Sequence, residues 1–233
     1  MIRWPRLVAV GMVVGVSIVG FAPRLDSADA VVPVENWAGQ PLNSRGVPET
    51  WRPHETIGGH PVYDFAVVEI DGRRALRMRS QGEHSTIAKE IQVDLTSTPW
   101  LEWTWKVVAL PEGADLTQRA TSDAAAHVFV VWPRRPAVLR SRLIGYIWDA
   151  SLPIGSIHKS QKTGTVTFIV VRSGKAQLGQ WLTERRNVRE DYRMAFGDEP
   201  ENPPVIALSI DTNDTKSSSE AFIGPIRFRA GVP

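Results

Sequence analysis

The chain has 233 residues, with 27 Lys and Arg against 25 Asp and Glu and no cysteine. A charge this close to balance, with no basic stripe carrying interleaved aromatics, argues against nucleic acid as a partner. The missing thiols exclude disulfide staples and thiolate metal centres, so stability must come from packing or from an oxygen-ligated ion.

At the N-terminus, Arg3 and Arg6 precede an apolar run from Leu7 to Ala22, and a small-x-small site follows at Ala28-Asp29-Ala30. This is the pattern of an export signal cut after Ala30, which predicts a periplasmic or secreted protein. Kept uncut, the run would be the chain's only membrane contact, and it is short for a span of about 20 residues. A lipid anchor at the cut site would need a cysteine. Residues 31–233 are then enough for one domain with a real core.

Nine stretches of β-branched and aromatic residues recur between turn clusters, at 63–70, 75–80, 85–93, 101–107, 125–132, 143–148, 165–171, 205–210 and 221–229. Asp71-Gly72, Ser97-Thr98-Pro99, Lys162-Thr163-Gly164 and 201–204 supply turn chemistry between them. With no alternation of strands and helices, the pattern predicts an all-β antiparallel sandwich or jelly roll. The spacing of Leu182, Val188, Tyr192 and Phe196 predicts one short helix within 181–196, ending at Gly197. Residues 30–34 read as a tether or an edge strand.

Period-two alternation sorts the strands into faces. In Leu101-Glu-Trp-Thr-Trp-Lys-Val107, Trp103 and Trp105 fall on an apolar face that suits the inter-sheet core, while Glu102 and Lys106 fall on the opposite face, open to ligand or to solvent. In 123–132, Asp123 and His127 share a face, and His127 suits either a ligand contact or a structural hydrogen bond. Tyr146 and Trp148 suit a stacking platform for a pyranose ring and the core equally well. Asp211, Asn213 and Asp214 crowd oxygen donors at a strand end, which fits either a calcium site or an Asx turn. The spacing is not that of an EF-hand, because Lys216 and Phe222 stand where glycine and glutamate are required.

The hydrolase elbow, the zinc-protease helix, the phosphate loop and the paired carboxylates of jelly-roll glycosidases are all missing. A polysaccharide lyase stays open, with Tyr146 and His127 moving protons and Lys106 or Asn187 neutralising a uronate carboxylate.

Read together, Leu101-Glu-Trp-Thr-Trp-Lys106, Leu143-Ile-Gly-Tyr-Ile-Trp148, Arg186-Asn-Val-Arg-Glu-Asp-Tyr192 with Phe196-Gly197, Ile210-Asp-Thr-Asn-Asp-Thr215 and Ala221-Phe-Ile-Gly-Pro-Ile-Arg-Phe228 carry a resemblance. In that order they resemble the bacterial family catalogued as domain of unknown function 3047, over roughly Trp51 to Phe228. The resemblance implies an exported single domain without a settled activity. The chain departs from the family pattern at Ser122-Asp123 with His127, and in the order of carboxylates at 211–215. Its closing strand also looks like that of galactose-binding-like sandwiches and carbohydrate-binding modules, which bears on ligand class only by fold analogy.

The leading expectation is an exported sandwich that binds a polysaccharide or another envelope component without turning it over. Glu102, Lys106, Asp123, His127, Tyr146, Trp148 and Asn187 are its ligand-binding candidates, and Asp211, Asn213 and Asp214 would hold Ca2+. The alternatives are a polysaccharide lyase or hydrolase and a structural or partner-binding envelope protein.

Overall fold

A computed structural model describes residues 30–54 and 61–231. The segment read as an export signal lies outside them except for Ala30. Among the described residues, thirteen strands and two short α-helices follow in chain order: β1 (Val31–Glu35), β2 (Arg52–Pro53), β3 (Asp64–Ile70), β4 (Arg73–Gln81), β5 (His84–Glu90), β6 (Trp100–Ala109), β7 (Ala124–Trp132), α1 (Ala137–Arg140), β8 (Arg142–Asp149), β9 (Ile157–Lys159), β10 (Val166–Ser173), β11 (Leu182–Asn187), α2 (Val188–Phe196), β12 (Val205–Asp211) and β13 (Ser218–Arg229).

They form two sheets. The first runs β11-β6-β13-β4-β3, with β1 added to β13, and the second runs β2-β5-β12-β7-β8-β10-β9. All pairings are antiparallel except β8 with β10, which run parallel because the long 150–165 connection carries the chain back to its starting edge. The fold is therefore the predicted β-sandwich, with one parallel pair that alternation alone did not indicate.

The predicted 181–196 helix is two elements. Residues 182–187 pair in register with β6, from Leu182 opposite Trp105 to Asn187 opposite Trp100, and only then does the helix start. Asn187 caps it, accepting the Glu190 amide at 3.2 Å, and Gly197 closes it at φ 78°, where a Cβ would be strained. The strand escapes a hydrophobicity reading because its inner positions include Glu184 and Arg186. Charges pointing inward are a common device on an edge strand. Each has a partner: Glu184 binds Arg172 at 2.6 Å and accepts from Trp105 Nε1 at 3.1 Å, and Arg186 binds Asp191.

The inter-sheet core is built on aromatics from β6 and β8. Trp103 stacks on Tyr146 with centroids 5.2 Å apart, Trp105 meets Trp148 at 5.8 Å, and the two β6 tryptophans touch edge to face at 5.6 Å. Such pairs add about 0.5–1.5 kcal/mol each beyond the area they bury. Tyr146 and Trp148 are 0% and 1% exposed, so the open choice between platform and core resolves to core. Their polar ends are satisfied internally, Tyr146 OH by Asp191 at 2.8 Å and Trp148 Nε1 by the Gly174 carbonyl at 3.0 Å.

Gly224-Pro225 marks a register shift in β13. A Cβ on Gly224 would lie 2.1 Å from Thr104 Oγ1, so only glycine lets β6 and β13 close there. Its carbonyl receives Trp37 Nε1 at 2.9 Å, which ties the N-terminal loop to the first sheet.

Candidate functional site

Two surfaces collect the remaining polar candidates, one on the outer face of each sheet. On the second sheet, strand register lines up His84 and Thr86 of β5 with Asp211 and Ser209 of β12, and Ser209 with His127 of β7. His84 Nε2 lies 2.8 Å from Thr86 Oγ1 and 3.1 Å from Ser209 Oγ, and Thr86 Oγ1 donates to Ser209 Oγ at 2.8 Å. The His127 ring stacks on Phe129 at 5.1 Å and leans on Phe168 at 5.7 Å. Gly145 makes room for both phenyl rings, since a Cβ there would sit 2.6 Å from Phe129. Leu116 packs into the same outer cluster and helps to bury it.

Burial sets the protonation states of this cluster. It pushes His127 down to about 3, with the neighbouring His84 adding to the effect, and it pushes His84 down to about 4, with the Lys162 charge adding. It also raises Asp211 to about 7, helped by Asp123 and opposed by Lys162. Asp123 goes the other way: burial would raise it, but hydrogen bonds from the Thr215 hydroxyl and the Thr215 and Asp214 amides hold it below the usual carboxylate value. Those bonds, at 2.7, 2.8 and 3.1 Å, make Asp123 the clasp of the 213–215 turn, a structural duty in place of the expected ligand contact.

The calcium expectation gives way to an internal cation. Lys162 Nζ pairs with Asp214, lies 3.8 Å from Asp211 Oδ2 and donates to Asn213 Oδ1 at 3.4 Å. The three predicted ligands thus converge on an ammonium group. Among the described residues no cluster of His, Asp and Glu has a metal-holding arrangement.

The outer face of the first sheet is open. Glu102 stands between Arg185 of β11 and Arg227 of β13 in one cross-strand row, and Trp100 stands between Asn187 and Arg229 in the next. Arg185 Nε and Arg227 Nε each reach Glu102 at 2.6 Å, and Arg229 Nη1 reaches it at 3.4 Å. Burial would raise the Glu102 pKa, but Arg185 and Arg227 outweigh it and hold the carboxylate low. One carboxylate, 4% exposed, is thereby shared by three guanidinium groups. Glu102 is the anchor of this network and has no lone pair directed at a ligand, whereas the side chains of Arg185 and Arg227 are 40% and 45% exposed and keep spare donors.

Further along the same face, Lys106 lies opposite Phe222 and Phe222 opposite Arg77. Asp71 and Gly72 both have positive φ, 52° and 70°, as a two-residue hairpin requires, and this turn carries the Asp71 carboxylate over β6. Its Oδ2 accepts Lys106 Nζ at 2.8 Å and Trp181 Nε1 at 2.9 Å. The half-buried Trp181 ring also sits 5.2 Å from the Arg73 guanidinium and 6.5 Å from Phe222.

The predicted candidates are therefore split three ways. Glu102, Lys106 and Asn187 share the first sheet's outer face, Asp123, His127, Asp211, Asn213 and Asp214 gather at one end of the second, and Tyr146 and Trp148 lie between the sheets. Sequence reasoning missed Trp100, Trp181, Arg185 and Arg227, although Trp100 continues the Glu102-Thr104-Lys106 alternation. It also missed His84, Thr86, Ser209 and Lys162; the polar alternation of His84 with Thr86 was the available signal.

Several solved structures resemble the fold. The family 11 carbohydrate-binding module of the cellulosomal cellulase Lic26A-Cel5E of Clostridium thermocellum aligns at 10% identity and TM-score 0.46, over 88% of this chain and 98% of that one. The family 30 module of the cellulosomal cellulase Cel9D-Cel44B of the same organism aligns at 12% identity and TM-score 0.45, over 86% and 98%. No curated protein matches the sequence. The family model described as "Protein of unknown function (DUF3047)" matches residues 49–227, from just before β2 to within two residues of the end of β13, and the chain belongs to that family.

Proposed function

We propose that the protein is exported to the periplasm or the cell exterior and binds a carbohydrate without turning it over, on the outer face of its first sheet. The observation that carries this reading is that Trp100 and Trp181, both half-buried on the outer side of the first sheet, each stand beside an arginine, Arg229 and Arg73 respectively. A sugar offers an apolar C–H face to an aromatic ring and hydroxyls to planar donors, and this face supplies both. Three guanidinium groups around one carboxylate leave two uncompensated charges, so sugars carrying carboxylates fit better than neutral ones. Lys106 steadies Asp71 on this face, and through it Trp181.

Trp181→Ala and Arg227→Gln should each weaken binding of an acidic polysaccharide at least tenfold, while His127→Gln on the opposite sheet should leave it unchanged. Equal affinity in all three variants would remove the site from this face.

Asp211, a buried carboxyl pushed up to about 7, is poised for proton transfer near neutral pH, and it supports the catalytic alternative. Tyr146 does not, because burial and the adjacent Asp191 raise its hydroxyl well above its ordinary value. Loss of any new reducing ends or unsaturated uronate on Asp211→Asn is the result that alternative requires.

A further inference from the structure

The connection between β7 and β8 gathers more positive charge than its ion pairs neutralise. It reads Pro133-Arg-Arg-Pro-Ala-Val-Leu-Arg-Ser-Arg142, and Arg134, Arg135 and Arg140 line a cavity of about 480 Å3 together with Glu201. Arg142, in the same stretch, is paired with Asp198. The other three guanidinium groups stand in no ion pair among the described residues. Arg134 Nη2 donates to the Tyr192 hydroxyl at 3.2 Å and Arg140 Nη1 to the Arg135 carbonyl at 3.3 Å, so most of their donors remain free. Ser141 fixes the base of the loop, accepting the Arg134 amide at 3.1 Å and donating to the Arg134 carbonyl at 3.4 Å.

A second feature separates this loop from a simple anion pocket. Leu139, on α1 between Arg135 and Arg140, is 77% exposed, more than any other large apolar side chain among the described residues. A soluble anion gains nothing from an exposed leucine. A lipid surface gains from both, since phosphate headgroups take the arginines and the acyl boundary takes the leucine.

We propose that the 133–142 loop is an interfacial contact that docks this domain on an anionic lipid surface, independently of the apolar N-terminal run. The contact is peripheral, and no helix among the described residues is long and apolar enough to cross a membrane. It would hold the sandwich beside a membrane while the outer face of the first sheet stays available.

The test is co-sedimentation with vesicles of phosphatidylglycerol in phosphatidylcholine against phosphatidylcholine alone. It is run on the full chain and on residues 31–233, which hold every described strand. Anionic vesicles should be bound and the binding should weaken with salt. Arg135→Gln with Arg140→Gln should lower partitioning by about fivefold per arginine removed. Leu139→Asn should lower it several-fold with no change of charge. All three positions are exposed, so an unchanged melting temperature is the expected control. Arg227→Gln, on the first sheet, should leave vesicle binding intact, which separates failure of this proposal from failure of the carbohydrate reading. Equal sedimentation of the double arginine variant and the unaltered 31–233 chain would overturn it. So would capture of a soluble polyuronate or inorganic phosphate by the loop with indifference to Leu139→Asn, which would make it an anion site without lipid.

Discussion

Replacing Asp211 by asparagine should make the protein more stable at neutral pH and more sensitive to acid. In the folded protein Asp211 is held at about 7, against 3.8 for an ordinary aspartate, so folding discourages its ionisation. A raised carboxyl stabilises the fold fully below pH 3.8 and loses that contribution as pH rises towards 7. At pH 7 the penalty is about 3–4 kcal/mol, and acidifying to about pH 4.5 recovers most of it. The histidines act with the opposite sign. His84 and His127 are held at about 4 and about 3, against 6.5 in the unfolded chain. Their contribution is complete above pH 6.5 and falls away below it, by about 2.7 kcal/mol each at pH 4.5. The unaltered protein should therefore lose only about 2 kcal/mol between pH 7 and pH 4.5, because the two effects offset each other. Asp211→Asn removes the compensation and should lose about 5 kcal/mol over the same range, whereas His127→Gln should be nearly flat. Urea unfolding followed by tryptophan fluorescence at both pH values measures all three. If Asp211→Asn proves less stable at pH 7 and follows the parent's pH slope, the carboxylate is ionised and paired with Lys162, and the reasoning fails.

Other substitutions test the remaining structural claims. Gly224→Ala should cost about 1–3 kcal/mol by driving a methyl group into Thr104, and Thr104→Ala in the same chain should recover part of it in thermal denaturation. Glu102→Gln removes the one counter-charge of three arginines and should cost about 3 kcal/mol or more, an effect that added salt reduces. Trp148→Ala should cost about 3–5 kcal/mol in urea unfolding without a selective loss of ligand affinity, because the ring is packed against Trp105.

Strand existence was legible in the sequence wherever β-branched residues met turn chemistry, and Asp71-Gly72 marked its hairpin outright. The division of Leu101-Glu-Trp-Thr-Trp-Lys106 into a tryptophan face and a charged face also matches the structure, because period two is a property of the strand itself. Edge elements were harder. In β11, Glu184 and Arg186 occupy inward positions and are neutralised by Arg172 of β10 and Asp191 of α2, so hydrophobicity gave no period to detect. The site depended on residues more distant in the chain. Tyr146 and Trp148 have the composition of a sugar platform, and only the opposing sheet, with Trp103 and Trp105 within 6 Å, makes them core. Likewise Asp211, Asn213 and Asp214 resemble a calcium loop until Lys162, some fifty residues upstream, is seen to fill its centre.

Binding of an acidic carbohydrate to the outer face of the first sheet carries the proposed function. Its most direct test is isothermal titration of residues 31–233 with a polyuronate and with a neutral glucan of similar length, at low and at high salt. Measurable affinity for the polyuronate that falls with salt and with Trp181→Ala, and weaker binding of the glucan, are expected. Absence of binding to either polymer, or binding that Trp181→Ala and Arg227→Gln leave untouched, would contradict it.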